Sequence, residues 1–291
     1  MTVRRGIKGI VFEIKKIGVP PVKCQGIKTK LVPFILNNIN WKENGRWIEP
    51  FLGSGVVVFN LAPRRALLCD TNSHIIELYS AIQVGEVTGA SVRQFLTEEG
   101  TKLERSGGDY YYEVRDRFND TGSSYDFIFL NRSCFNGVMR FNRNGRFNVP
   151  FCKKPTRFTA SYITKIANQI DWVGRQMKGN DWQFRASNWK TTLSEANPED
   201  FVYLDPPYIG RHTDYFNSWD ETEAIDLAER TLKLPCGFAL SMWLENRYRK
   251  NDHIERHWQG TEIKSTRHFY HVGSTETLRN TMDEALIFRA S

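Results

Sequence analysis

A short unit around residue 50 constrains this 291-residue chain more than any other feature. Trp47-Ile48-Glu49 reads as a strand, Pro50-Phe51-Leu52-Gly53-Ser54-Gly55 as a tight turn, and Val56 to Leu61 as the start of a buried helix. A second strand, Ala66-Leu67-Leu68-Cys69, then ends at Asp70. Strand, glycine turn, helix, strand and acid in that order open a nucleotide-binding α/β domain. The dinucleotide fingerprint wants a third glycine where this chain has Val58, so an NAD enzyme is disfavoured. Glycines still let the backbone approach a ligand closely, and Asp70 can accept hydrogen bonds from ribose hydroxyls. Such turns also occur with no ligand, so the turn alone decides little.

Helical patterning follows over residues 74–118, with Ile75, Ile76, Leu78 and Tyr79 on one face, and breaks at Gly107-Gly108. A loop-rich stretch with Asn-Gly turns at 136–137 and 144–145 comes next. Tyr162 to Met177 reads as a helix, and Phe201-Val202-Tyr203-Leu204 as a buried strand stopping at Asp205-Pro206. A helix from about Glu221 to Leu232, a strand at Phe238 to Trp243, and strands near His268–Val272 and Glu284–Phe288 complete the pattern. The expected organisation is an α/β domain formed by residues 1–73 and 161–291, with a helical, basic insertion at 74–160.

Charge sharpens that division. The formal net charge is +7, from 40 basic and 33 acidic side chains. Residues 132–158 contain Arg132, Arg140, Arg143, Arg146, Lys153, Lys154 and Arg157 and no acid; residues 1–30 carry eight basic groups against Glu13. Each segment is therefore +7, and the remainder, with 25 basic and 32 acidic residues, is −7. The second segment interleaves Phe135, Phe141, Phe147, Phe151 and Phe158 with Asn136, Asn142, Asn144 and Asn148. Cations for phosphates, amides for base edges and aromatics for stacking suit a nucleic-acid surface. A solvated basic loop whose phenylalanines pack inward has the same composition.

Asp205-Pro206-Pro207-Tyr208, at the end of a buried strand, is more specific. An aromatic amino group is a poor nucleophile because its lone pair is delocalised into the ring. A carboxylate and a backbone carbonyl that accept its two hydrogens favour a pyramidal nitrogen able to attack an electrophilic methyl group. Two prolines fix the turn so that the Pro206 carbonyl can serve, and Tyr208 offers a stacking face for an extruded base.

Glu49 to Gly55 followed by Asp205 to Tyr208 resembles the AdoMet-dependent DNA adenine-N6 methyltransferases. The order of cofactor motif, basic region and D-P-P-Y is that of the alpha class and its Dam family. The resemblance spans about residues 20–290 and is strongest to the EcoRV type, through residues 25–30, 130–137 and 147–151. It implies a class I AdoMet-dependent methyltransferase (Rossmann-like) sheet with a helical DNA-recognition insertion. It further implies that Lys28 helps hold AdoMet and that the Glu49, Pro50, Phe51, Gly53, Ser54 and Gly55 loop cradles the methionine portion. Asp70 would bind the ribose, and Asp205, Pro206, Pro207 and Tyr208 would form the catalytic turn, with Asp205 touching both cofactor and target. Lys23 matches a reader of the outer guanine, Phe135 an aromatic that inserts near the flipped adenine, and Asn136, Val138, Arg140 and Pro150 positions facing bases or backbone. Arg132, Asn142, Lys153 and Lys154 complete the DNA-binding set; for Lys153, Lys154, Arg143, Arg146 and Arg157 phosphate contact is the expected role. Cys24, where several relatives carry tryptophan, and Ser187, where some carry an acid, depart from the family near the cofactor's adenine.

The implied function is methyl transfer from AdoMet to a flipped adenine in a palindrome beginning GAT, either GATATC or GATC. The setting is restriction–modification, or orphan or phage methylation. Expected partners are double-stranded DNA and a restriction endonuclease cutting the same site without a stable complex, with the chain a monomer. The rivals are an RNA adenine or protein-amide methyltransferase, and a non-catalytic DNA-binding protein on the same fold. No metal is expected: His253-x-x-x-His257 lacks the protease arrangement and reads as a surface helix, His268 and His271 sit in an aromatic strand, and Ser241 has no nucleophile elbow. Five scattered cysteines without C-x-x-C, no apolar run near the roughly 18 residues a membrane helix needs, and no secretory leader point to the cytoplasm.

Overall fold

The computed structural model describes residues 3–4, 13–14, 16–24, 26–137, 139–207, 219–246, 251–269 and 281–290. Seven strands form one sheet: β1 (Trp47–Glu49), β2 (Arg65–Asp70), β3 (Asp181–Ala186), β4 (Phe201–Leu204), β5 (Gly237–Asn246), β6 (Glu262–Phe269) and β7 (Thr281–Arg289). Their order across the sheet is β3-β2-β1-β4-β5-β7-β6. Neighbours from β3 to β5 pair in parallel, whereas β7 runs antiparallel to both β5 and β6.

Alternation along the strands builds two cores. Trp47, Ala66, Leu68, Phe201, Tyr203 and Leu286 point to one face, and Ile48, Leu67, Cys69, Val202, Leu204 and Ile287 to the other. Strands covered on both faces bury nearly every position, which is why β1, β2 and β4 read as near-continuous apolar runs, with buried Glu49 the exception on β1. The first face is covered by α1 (Val32–Asn38), α2 (Val56–Leu61), α3 (Ser73–Gln83) and α7 (Ala160–Met177); the second by α8 (Trp189–Ser194), α9 (Glu221–Leu232) and α10 (Asp252–His257).

Three more helices stand between α3 and α7: α4 (Gly89–Arg105), α5 (Tyr110–Thr121) and α6 (Ser124–Ser133). Arg117 joins them, its guanidinium reaching Glu99 at 2.8 Å and both oxygens of Asp126. The break expected at Gly107-Gly108 is the α4–α5 turn, both glycines having positive φ. Helix α3, although within the 74–160 span, packs on the sheet against β2 and β3. Helices α1, α6 and α8 and strand β3 had no clear counterpart in the sequence pattern, whereas α10 is the helix expected at 253–257. The 253–257 histidine pair lies on α10, but His253 is buried against α9 rather than on a surface, which lowers its affinity for a proton through desolvation.

Order reverses at β1 and β4, whose following helices leave in opposite directions. This is the topological switch point, where the carboxyl ends of the strands open a crevice. The loop after β1 holds its shape through Gly55, at φ 67°, which starts α2. A Cβ there would lie 2.5 Å from the buried Phe59 ring. Gly55→Ala should therefore lower unfolding free energy by about 2–4 kcal/mol, combining left-handed strain with overpacking. Urea denaturation measures it; a loss below about 0.5 kcal/mol would show that the loop relaxes freely.

Candidate active site

A cleft of about 540 Å³ opens at the switch point. Residues 49–54 after β1, Asp70 at the end of β2 and Asp205 at the end of β4 line it together with Gly26, Ile27 and Lys28. Lys28 crosses to β4, its Nζ 2.9 Å from Asp205 Oδ1, with its side chain only 2% exposed. The Asp205 side chain keeps 26% exposure toward the cleft. Burial pushes its carboxyl above the ordinary range, Lys28 pulls it back, and Glu284 on β7 pushes it up again.

Asp70 braces the glycine loop as well as lining the cleft. Its Oδ2 accepts from the Gly53 N–H at 2.8 Å and its Oδ1 from the Asn72 N–H at 2.9 Å. Each carboxylate oxygen has a second lone pair, so acceptor capacity toward a hydroxyl remains. Tyr79 on α3 donates to the Ser54 carbonyl at 2.6 Å and fixes the loop from behind. Glu49 is 2% exposed, accepts from Trp47 Nε1 at 2.8 Å, and is pushed up to about 8 by burial, so it is mostly neutral at pH 7. Pro50, Phe51, Gly53 and Ser54 line the cleft; Gly55 shapes the loop from outside it.

At the other end of the cleft, Phe51, Trp189 and Trp219 form an aromatic wall, with ring centres 5.6–6.4 Å apart. Trp189 Nε1 donates to Glu223 Oε2 at 3.1 Å. Neither tryptophan was singled out from sequence: Trp189 follows β3, a strand the pattern missed, and Trp219 belongs to no element. Asn188 and Trp189 immediately after β3 were the available signal, since switch-point ligands meet the carboxyl ends of strands. Of the two family departures, Cys24 lines the cleft, whereas Ser187 donates its N–H to the Asp70 carbonyl at 3.0 Å.

The basic segment forms a hairpin outside the cleft. Phe141 and Phe147 bridge two strands of it and are buried with Phe151, while Phe135 stands 54% exposed. The inward packing that the composition allowed therefore holds for Phe141, Phe147 and Phe151, and Phe135 is left open to a partner. Asn119 on α5 anchors the hairpin by exchanging two hydrogen bonds with Phe147, 2.6 and 3.0 Å long. Asn136 is exposed at φ 55° and Gly137 follows at φ 67°, a turn that favours Asn-Gly. Pro150, Lys153 and Lys154 are exposed; Arg140 is half-buried with its Nε 3.2 Å from Asn148 Oδ1. Asn142 departs from the simple picture of a reader, because its Oδ1 already accepts the N–H groups of Asn144 and Arg146. Arg132 departs further. It is 4% exposed in the last turn of α6, bonded at 2.5 Å to Gln169 on α7, so its guanidinium faces the interior and not a DNA surface. Lys23 lies beside this region, 5.9 Å from the Tyr162 ring centre. Val138, Tyr208 and His271, and the side chains of Arg4, Arg5, Lys8 and His268, lie outside what the structure describes.

Sheet order, antiparallel β7, the glycine loop and the acid-Pro-Pro turn at the switch point together define a class I methyltransferase fold. A family description for D12 class N6 adenine-specific DNA methyltransferases matches residues 25–272, and the chain belongs to that family. It is similar to a DNA adenine methylase of Serratia marcescens, 31% identical over 196 residues that cover 63% of this chain and 68% of that one. A Vibrio cholerae DNA adenine methylase is 27% identical over 91% of this chain and 94% of its own. The type II methyltransferase M.MjaIII of Methanocaldococcus jannaschii is 29% identical over 65% and 68%. Membership of the family implies a methyl donor and a DNA substrate. Among the described residues no helix is long and apolar enough to cross a membrane, and no three candidate ligands gather for a metal.

If Asp205 acts ionised, activity must fall as pH drops through its raised pKa. Lys28 is the group that opposes that rise. Lys28→Met, at saturating methyl donor, should move the acid limb of the kcat–pH profile to higher pH. A limb that stays in place or moves to lower pH would remove Asp205 as the titrating acceptor.

Proposed function

We propose that the protein transfers a methyl group from AdoMet to N6 of an adenine rotated out of duplex DNA. The preferred site is a palindrome beginning GAT, with GATATC ahead of GATC. The observation that carries this reading is that Asp205 of the D-P-P turn and the 49–54 loop meet in one cleft with a single lysine between them. Beyond the Lys28–Asp205 pair and the largely neutral Glu49, three further carboxyl side chains (Asp70, Asp220, Glu223) line that cleft, an environment suited to a cationic ligand.

The residues present fit AdoMet part by part. The aromatic wall of Phe51, Trp189 and Trp219 suits an adenine, Asp70 a ribose diol, and the loop from Glu49 to Gly55 with Lys28 the amino-acid end. What AdoMet supplies when bound is an electrophilic methyl carried on a sulfonium. The Asp205 carboxylate accepts one hydrogen of the target amino group and the Pro206 carbonyl the other, which draws the nitrogen lone pair out of conjugation toward the methyl. With AdoMet held there, the methyl would pass from sulfur to nitrogen in one displacement that leaves S-adenosylhomocysteine, and the surplus N–H proton would leave to water. Tyr208 stacks on the extruded base.

The helical block and hairpin act as the recognition module. Exposed Phe135 wedges into the duplex near the vacated position, Asn136 and Arg140 read base edges, and Lys153, Lys154 and Arg143 meet phosphates. Arg132 serves from inside, holding α6 to α7. The chain acts as a cytoplasmic monomer, with a restriction endonuclease cutting the same site as its natural counterpart. Plasmid DNA incubated with protein and AdoMet, then sequenced for N6-methyladenine, should carry the mark at one GAT-starting palindrome. Marks on RNA or protein only, or scattered without a common sequence, would overturn the reading.

A further inference from the structure

The segment that supplies Lys28 to the cleft has a second attachment. Asn131 Oδ1 accepts the Lys23 N–H at 2.9 Å, and Asn131 Nδ2 donates to the Lys23 carbonyl at 2.9 Å. The two residues are 108 positions apart in the chain. A side-chain amide that takes both the donor and the acceptor of one residue substitutes for a neighbouring strand, fixing position and direction together. Asn131 is 1% exposed, so neither bond is exchanged for water without cost.

Asn131 lies in the last turn of α6, immediately ahead of the exposed loop. Beyond it Cys134 bridges Phe151, and the Phe135 N–H bonds the Pro150 carbonyl at 2.8 Å. The turn that follows rests on Lys23: a Cβ at Gly137 would lie 2.8 Å from Lys23 Cδ. Lys23 is thus gripped by α6 on one side and touched by the loop on the other. Only four residues separate it from Lys28, and Cys24, its immediate neighbour, itself lines the cleft, so the clamp and the cleft share one short segment.

We propose that Asn131 is a positioning residue that couples cofactor binding to reading of the outer base pair. A ligand in the cleft orders residues 26–28, and the amide clamp carries that order to Lys23 and, through Gly137, to the loop bearing Phe135 and Asn136. The proposal rests on the reading that Lys23 and this loop face DNA. Coupling of this kind is reciprocal: a duplex carrying the site tightens cofactor binding by the factor the cofactor tightens the duplex.

The probe is S-adenosylhomocysteine, which fills the cleft without reacting. Fluorescence anisotropy compares the duplex carrying the mapped palindrome with one whose outer base pair is inverted, with and without saturating probe. In the unaltered protein the probe should raise the preference for the mapped duplex about tenfold, within the usual range for coupled sites. In Asn131→Ala that gain should collapse to within about twofold of unity, with probe affinity alone changed less than about threefold. A variant that unfolds cooperatively yet keeps the full gain overturns the proposal, since a merely structural asparagine lowers stability without touching the ratio. Hydrogen exchange on the unaltered protein reads the same link without a substitution: the probe should slow exchange at residue 23 and at 134–137, and no change there also overturns it. Absence of any preference for the mapped duplex in the unaltered protein strikes the base-reading assignment itself, whereas an intact preference with an unchanged ratio in Asn131→Ala strikes only the clamp.

Discussion

A buried lysine that must be neutralised organises this protein. With its side chain 2% exposed, Lys28 could not keep its charge inside the fold without the Asp205 carboxylate 2.9 Å away. The pair ties a segment near the start of the chain to the carboxyl end of the central strand β4. It also sets the state of the carboxylate, offsetting the burial that would otherwise favour its neutral form. Around this contact, the β1 loop, braced by Asp70 and Tyr79, forms one wall of the cleft. The three aromatic rings form another.

The division of labour between sheet and helices follows from burial. Strands β1, β2 and β4, apolar on both faces, leave no freedom in where their carboxyl ends fall, so the reacting groups stand on rigid supports. The groups proposed to face DNA stand instead on a hairpin held by side chains from elsewhere: Asn119 grips it at Phe147, and Tyr111 donates to the Val149 carbonyl at 2.8 Å. Its phenylalanines Phe141, Phe147 and Phe151 join the main core against His74, Phe118 and Tyr111, which lets a polar, highly basic loop keep one shape.

The parts legible in the sequence were those where local chemistry leaves one solution. Buried strands ending in an acid and a glycine turn at the start of a helix told where the crevice lies, and the two prolines after Asp205 pointed to the chemistry proposed for it. Strand β3 escaped because it is an edge strand with only Trp182 buried, so it shows no run of apolar residues. Trp189 and Trp219 escaped with it, since they reach the cleft through tertiary packing rather than a motif. Arg132 misled for a related reason: its charge is visible in sequence, but the direction it takes from α6 depends on Gln169 and Tyr162 of α7. Composition marks a basic segment; only packing sorts its cations into those that are exposed and those that face inward.

In the proposed mechanism Asp205 accepts a hydrogen of the target amino group while the rest of the site holds the reactants. The most direct test is single-turnover methyl transfer by Asp205→Ala, with S-adenosylhomocysteine and duplex binding measured on the same sample. The rate should fall by about 10²–10³ or more, as for the loss of an essential preorganised group, while both affinities stay within about tenfold of the unaltered protein. A rate within about tenfold of the unaltered protein, with binding intact, would contradict the account.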